Sequence, residues 1–291
     1  MRKRIITGVV ALCVFAPICI FSGTWFFGFA FGVISLVGIF EIAKCLGLHK
    51  NLFLTIPMYV ASFGLPMLRY FIYLNGVSKP NSVFLLYAMI TAFIFLIYFL
   101  AYVMFGKNKK NLSDVLTFYA LCVYIIGCFS SVVMVRFTGT EKFEDIGAYM
   151  YLLIFISAWV CDTFAYFVGR LLGRHKLIPE ISPKKTIEGA IGGIVFTLIA
   201  LICYWCIVRF AFGYEGLYIQ HICLLGIVLP IVSQIGDLIA SSIKRQHNIK
   251  DYGNVFPGHG GVLDRFDSAM LVAPVLCFTN ALIFCANGFN L

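Results

Sequence analysis

SVFLLYAMITAFIFLIYFLAYVMF, residues 82–105, runs for 24 positions without a charged side chain. A helix needs about 20 mostly apolar residues to cross the hydrocarbon of a bilayer, so this stretch reads as a transmembrane helix. Outward from it, eight further stretches qualify: about 5–22, 24–43, 52–74, 114–135, 147–169, 187–208, 217–240 and 268–288. The expected fold is an all-α polytopic membrane protein of about nine transmembrane helices. The composition agrees. Apolar residues make up 61% of the chain and charged residues 12%, against roughly a quarter charged in soluble domains. No Gly/Ser/Pro-rich linker or internal repeat divides the 291 residues, so they read as a single membrane-embedded domain. Its N-terminal spans, 1–146, have no readable role; residues 147–291 hold the polar groups that suggest a catalytic core.

The first two stretches are joined by a tight Ser22-Gly23 turn. Arg2, Lys3 and Arg4 make the first resemble a signal peptide, but its apolar run is long and a second span follows without a small-x-small cleavage site, so it is expected to be a retained helix. With a cytoplasmic N-terminus and nine alternating spans, 17 of the 22 Lys and Arg residues fall inside and 5 outside. That asymmetry is what the positive-inside rule demands. The net charge of +9 is therefore topological, suited also to anionic headgroups, and it implies no nucleic acid. The eleven cysteines include no CxxC or Cys/His cluster. Most sit in apolar runs, as Cys13, Cys19, Cys122, Cys203 and Cys277 do, and serve as small apolar residues rather than zinc ligands or disulfide partners.

Polarity concentrates in the second half. Earlier, Glu41 reads as a surface i,i+3 partner of Lys44. Asp162, in SAWVCDTFAYFVGR, lies more than a turn inside a span, with Tyr166 and Gly169 on its face. A carboxylate there costs a few kcal/mol and marks a polar cavity or partner. Next comes GRLLGRHKLIPEISPKKTIEGAIGG, residues 169–193. Ser182-Pro183 suits the start of a helix, Ser as N-cap and Pro in the first turn. Such an end offers free N–H groups to an anion, with Lys184 and Lys185 beside it. Gly189, Gly192 and Gly193 suit close helix packing. In SQIGDLIASSIKR, Ser233, Asp237, Ser241 and Lys244 form one stripe along a helical face.

Between the last two spans lies SSIKRQHNIKDYGNVFPGHGGVLDRFD, residues 241–267. Lys244, Arg245 and Lys250 supply positive charge; Asp251, Asp264 and Asp267 supply negative charge. Asp264 and Asp267 are one helical turn apart, and Asp237 could join them if the last two spans pack side by side. Three hard oxygen donors beside cationic groups suit a magnesium ion carrying phosphates. His259 suits either a general base or a partner of backbone or phosphate. No Walker loop or dinucleotide fingerprint is present.

These blocks resemble the phosphatidate cytidylyltransferase (CDP-diacylglycerol synthase) family. The resemblance rests on the 241–267 stretch, on DTFAYFVGRLLGRHKLIPEISPKKTIEGAIGG from Asp162, and on SQIGDL from Ser233. It implies transfer of CMP from CTP to phosphatidate, giving CDP-diacylglycerol and pyrophosphate, with magnesium as cofactor; a second, monovalent cation is left open. It implies metal ligation by Asp237, Asp264 and Asp267, and catalytic roles for these three and Lys244. Substrate binding would fall to Asp162, Ser182, Lys184, Lys185, Ser241, Arg245, Lys250, Asp251, His259 and Arg265. One departure stands out: many members carry GDLxES, and here Ala240 takes the acid's place. The implied partners are CTP, phosphatidate and membrane lipids, with a homodimer left open, and the implied setting is the bacterial inner membrane with the site facing the cytoplasm. The competing readings are a polyprenol kinase, a cytidylyltransferase for another lipid phosphate, an ion-coupled transporter using Asp162 and Asp237, and a lapsed paralogue.

Overall fold

The computed structural model describes residues 13–77, 80–105, 111–139, 146–256, 258 and 260–286, with side chains to 282. Nine helices occur among them: α1 (described over 13–20), α2 (Trp25–Cys45), α3 (Leu52–Leu74), α4 (Pro80–Phe105), α5 (Leu112–Arg136), α6 (Ile146–Leu172), α7 (Ile187–Cys206), α8 (Ile219–Gln246) and α9 (Leu263–Ala286). Seven of them, α2 to α8, are long and apolar enough to cross a membrane. The fold is thus a polytopic helical membrane protein, as the apolar runs predict.

The 82–105 stretch shows why lipid must surround it. It forms α4, and only Phe84 and Phe99 are buried there. Met89, Phe93, Ile94 and Met104 are more than half exposed. A helix apolar on every side is stable either in a protein core or in lipid; with most of the α4 side chains left uncovered, the apolar surroundings they require are those of a bilayer.

The chain divides into two compact units. Unit 1 comprises Met1–Phe137 and Asp251–Arg265; unit 2 comprises Thr138–Lys250 and Phe266–Leu291. Residues 251–265, half of the polar signature, therefore group with the N-terminal helices. In unit 1, α2 packs on α3 and α5, around the buried rings of Phe27, Phe31 and Phe129. Arg69 of α3 is fully buried. It donates to the Phe137 carbonyl at 2.6 Å and to Asn81 Oδ1 at 3.0 Å. Phe137 ends α5, where the helix dipole is negative and favours a cation.

In unit 2, α7 packs against both α6 and α8. The glycines of α7 permit this, as expected: a Cβ on Gly189 would meet the Ala165 carbonyl at 2.6 Å, and one on Gly192 would meet Val168 at 2.6 Å. One expectation fails here. Ser182-Pro183 does not start a helix. Residues Ser182–Thr186 form strand β2, antiparallel to β1 (Lys176–Ile178). Proline lacks an N–H and tolerates an edge strand, and a two-stranded ribbon is all edge. The helix begins instead at Ile187, capped by Thr186, whose Oγ1 accepts from Gly189 N at 3.1 Å. Glu188 fills the first turn and accepts from the backbone N–H of His175 at 3.2 Å, with its Oε1 2.7 Å from His175 Nδ1. A carboxylate on that helix end stabilises its positive dipole, and the N–H groups of a helix start are not found at Ser182-Pro183.

Candidate active site

Four elements of unit 2 bring charged side chains together. Asp162 comes from α6, Lys185 from β2, Asp237 and Lys244 from α8, and Asp267 from α9. Strand geometry selects between the two adjacent lysines. Successive strand side chains point to opposite faces, and here Lys184 is exposed while Lys185 is partly covered. Lys185 Nζ lies 2.6 Å from Asp237 Oδ2, each side chain 24% exposed. The ammonium is buried and makes no directed hydrogen bond, so the contact is an ion pair held by charge rather than by lone-pair alignment.

The polar stripe read along α8 is present. Ser241 Oγ donates to Asp237 Oδ1 at 3.3 Å. Ser233 and Lys244 are buried on the same helix, which runs to Gln246, past the expected end at 240. Gly236 lets α9 approach this face: a Cβ there would meet the Asp267 carbonyl at 2.8 Å. Asp267 is 15% exposed, with Lys244 Nζ at 4.0 Å. Asp237, Lys244 and Asp162 are the charged groups close enough to act on it. Asp162 accepts from Ser268 Oγ at 2.8 Å, tying α6 to α9. The partner that a carboxylate in a span requires is therefore a hydroxyl 106 residues away.

The outcome is a cluster of three carboxylates and two ammonium groups. Among the described residues, no three of His, Cys, Asp and Glu stand close enough to cage a metal. Magnesium does not need a cage: one or two carboxylates plus waters and substrate phosphates ordinarily hold it. Asp237 and Asp267 are hard oxygen donors on neighbouring helices; Lys185 lies against Asp237, while Lys244 stands 4.0 Å from Asp267. The donor chemistry fits a hard divalent cation.

The remaining sequence candidates lie as follows. Arg245, Lys250, Asp251 and Arg265 are exposed, Ser182 is half-buried in β2, and His259 lies outside the described residues. Asp264 belongs to unit 1. It is 7% exposed, and its Oδ2 accepts from the backbone N–H of Tyr252 at 2.7 Å and of Gly261 at 2.9 Å. One carboxylate oxygen is thus committed to folding the loop.

Sequence reasoning misplaced one acid. Glu41 is not a surface partner of Lys44. It is 2% exposed, and it accepts from Val262 N at 2.8 Å through Oε1 and from Leu263 N at 2.9 Å through Oε2. The i,i+3 spacing was real but the side chain turns inward, to backbone donors 221 residues away. The signal available was a carboxylate inside a span, the same signal that singled out Asp162.

Comparison with known proteins finds likeness along nearly the whole chain. A family model described as "Cytidylyltransferase family" matches residues 2–283. The phosphatidate cytidylyltransferase of Bacillus subtilis is 33% identical over 287 residues, covering 97% of this chain and 98% of that protein. Those of Staphylococcus saprophyticus and Staphylococcus haemolyticus are 32% and 33% identical over 276 residues, covering 95% of this chain and 97% of theirs.

Proposed function

The chain belongs to the cytidylyltransferase family, and from that premise we propose that it is a phosphatidate cytidylyltransferase, joining CTP and phosphatidate into CDP-diacylglycerol and pyrophosphate. One observation carries the reading: Asp162, Lys185, Asp237, Lys244 and Asp267 gather within one unit of a membrane-helical protein. A phosphate-binding patch alone has no use for three carboxylates. A cation site alone has no use for two lysines.

The chemistry asks little of a general base. The phosphate of phosphatidate is already anionic at neutral pH. One of its oxygens bonds to the α-phosphorus of CTP; the bond from that phosphorus to the bridging oxygen breaks, and pyrophosphate departs with the electron pair. What the protein must supply is alignment and charge. Lys185 and Lys244 are assigned to the phosphates. Asp237 and Asp267 would hold magnesium, which when bound offsets the negative charge on the triphosphate. Asp162, which accepts from Ser268, ties α6 to α9 beside Asp267. The 17-to-5 split of basic residues supports a cytoplasmic N-terminus and a site opening to the cytoplasm, where CTP is found, in a bacterial inner membrane.

The test is a product assay on the full-length protein in detergent, with phosphatidate, magnesium and CTP labelled at the α-phosphate. Label entering the lipid with release of pyrophosphate, lost in Asp237→Asn, supports the reading. Asp264→Asn in the same assay asks whether Asp264 serves the metal as well as its loop. Release of CDP with a polyprenol and no lipid label would make the protein a kinase. Ion flux without any use of CTP would make it a transporter.

A further inference from the structure

The loop from Asp251 to Val262 is folded by two carboxylates rather than by regular secondary structure. Asp264 accepts from the N–H groups of Tyr252 and Gly261. Glu41 accepts from those of Val262 and Leu263, one with each oxygen. The last two are donors at the start of α9, which the helix itself leaves without partners. A local N-cap side chain normally serves them. Here the cap comes from α2, 221 residues away in sequence.

Two glycines of the signature record the same contact. A Cβ on Gly261 would collide with Glu41 Oε1 and approach its Cδ at 2.5 Å, and one on Gly253 would collide with Oε1 and approach Cδ at 2.9 Å. Gly258 and Gly260 have a different reason: their φ values of 81° and 86° are left-handed, which favours glycine. Gly253 and Gly261 do not adopt such angles; they are small because Glu41 lies against them. Asp264, whose partner Gly261 touches Glu41, begins the same helical turn that Glu41 caps.

We infer that Glu41 is a positioning residue for the proposed transfer: lodged between Gly253 and Gly261, it fixes the start of α9 and with it the carboxylate of Asp264. The inference rests on the cytidylyltransferase reading for its kinetic consequence, and on geometry alone for the contact. A carboxylate buried against two amide donors is a costly way to close a loop, since an unpaired buried carboxylate is strongly penalised. It is effective where a loop must keep one shape, because displacing a reacting group by about 1 Å costs on the order of 100-fold in rate.

The experiment uses the full-length protein in detergent. Glu41→Gln keeps the side-chain volume and one acceptor oxygen but turns an NH2 toward a backbone N–H. The expected result is a fall in kcat of about 10- to 100-fold, with KM for CTP and for phosphatidate each moving less than about threefold. Amide exchange should rise in the 251–263 peptide and stay unchanged in peptides from α6 and α8. Gly261→Ala should lower the thermal midpoint in the native background but add little to Glu41→Ala, which clears the space. Full kcat in Glu41→Gln with unchanged loop exchange overturns the inference. So does exchange that rises everywhere with kcat per folded molecule unaltered, because that would make Glu41 a general stabiliser. If the native protein labels no lipid, the cytidylyltransferase reading fails by itself, while exchange and the Gly261 cycle still decide whether Glu41 holds the loop.

Discussion

Replacing Lys185 with Met separates two lysines that sequence alone treats as equals. The structure pairs Lys185 with Asp237 at 2.6 Å, both side chains 24% exposed, and leaves Lys184 exposed on the other face of β2. A hydrogen bond from Lys185 to a bound phosphate would be one to a charged group, worth about 1.5–3 kcal/mol, and the partial exposure argues for the lower half of that range. At about 1.4 kcal/mol per tenfold, Lys185→Met should lower kcat/KM for CTP by roughly 10- to 50-fold. Lys184→Met should lower it less than about threefold. The assay is initial-rate transfer of labelled CMP to phosphatidate across a range of CTP, with folding checked by size-exclusion in detergent. Equal losses in both variants would refute the reasoning, because a strand cannot present adjacent side chains to one pocket. No loss in Lys185→Met would refute it as well, and would remove the ion pair from the proposed site.

Further outcomes follow from the packing of unit 2. Thr186→Val removes the oxygen that accepts from Gly189 N at 3.1 Å; it should cost about 1 kcal/mol of stability, read as a lower thermal midpoint, while Thr186→Ser should stay near the native value. Gly236→Ala places a Cβ about 2.8 Å from the Asp267 carbonyl, and overpacking of that kind costs about 1–3 kcal/mol. Its control is Gly64→Ala in α3, where a Cβ meets nothing within 4 Å and helix propensity should leave stability equal or slightly raised.

The helices were legible because lipid imposes a length on apolar runs, and α3, α4 and α5 lie within a few residues of their expected bounds. The buried thiols of Cys122, Cys128 and Cys161 likewise match their reading as small apolar residues. The stripe on α8 was legible because helical spacing is local. The hairpin was not. Ser-Pro fits both a helix start and an edge strand, and the choice depended on Thr186, a better-placed cap for the Gly-rich helix that starts at Ile187. Partners distant in the chain were also hidden. Nothing local shows that Asp162 meets Ser268 or that Glu41 meets the amides of Val262 and Leu263. A carboxylate in an apolar span says that a partner exists; only the fold says which.

That logic also sets a conflict at Asp267. Its side chain is 15% exposed and Lys244 is 4.0 Å away, too far for a hydrogen bond, while Asp237 and Asp162 add like charge nearby. The site as folded therefore holds more negative charge than its lysines neutralise closely, a state that substrate-borne cations would relieve. Asp267→Asn keeps the acceptor that receives Ser268 N at 2.9 Å and removes one of the repelling charges. It should abolish transfer and yet leave the protein as stable as the native chain or more so, by up to about 1 kcal/mol, the pattern expected where function holds a site away from its stability optimum. A thermal melt in detergent without nucleotide or divalent metal reads the sign. A clear drop in midpoint for Asp267→Asn would mean that Lys244 stabilises the carboxylate more than its neighbours repel it. The cluster would then be a structural ion-pair network, and its role in transfer would have to be argued from other residues.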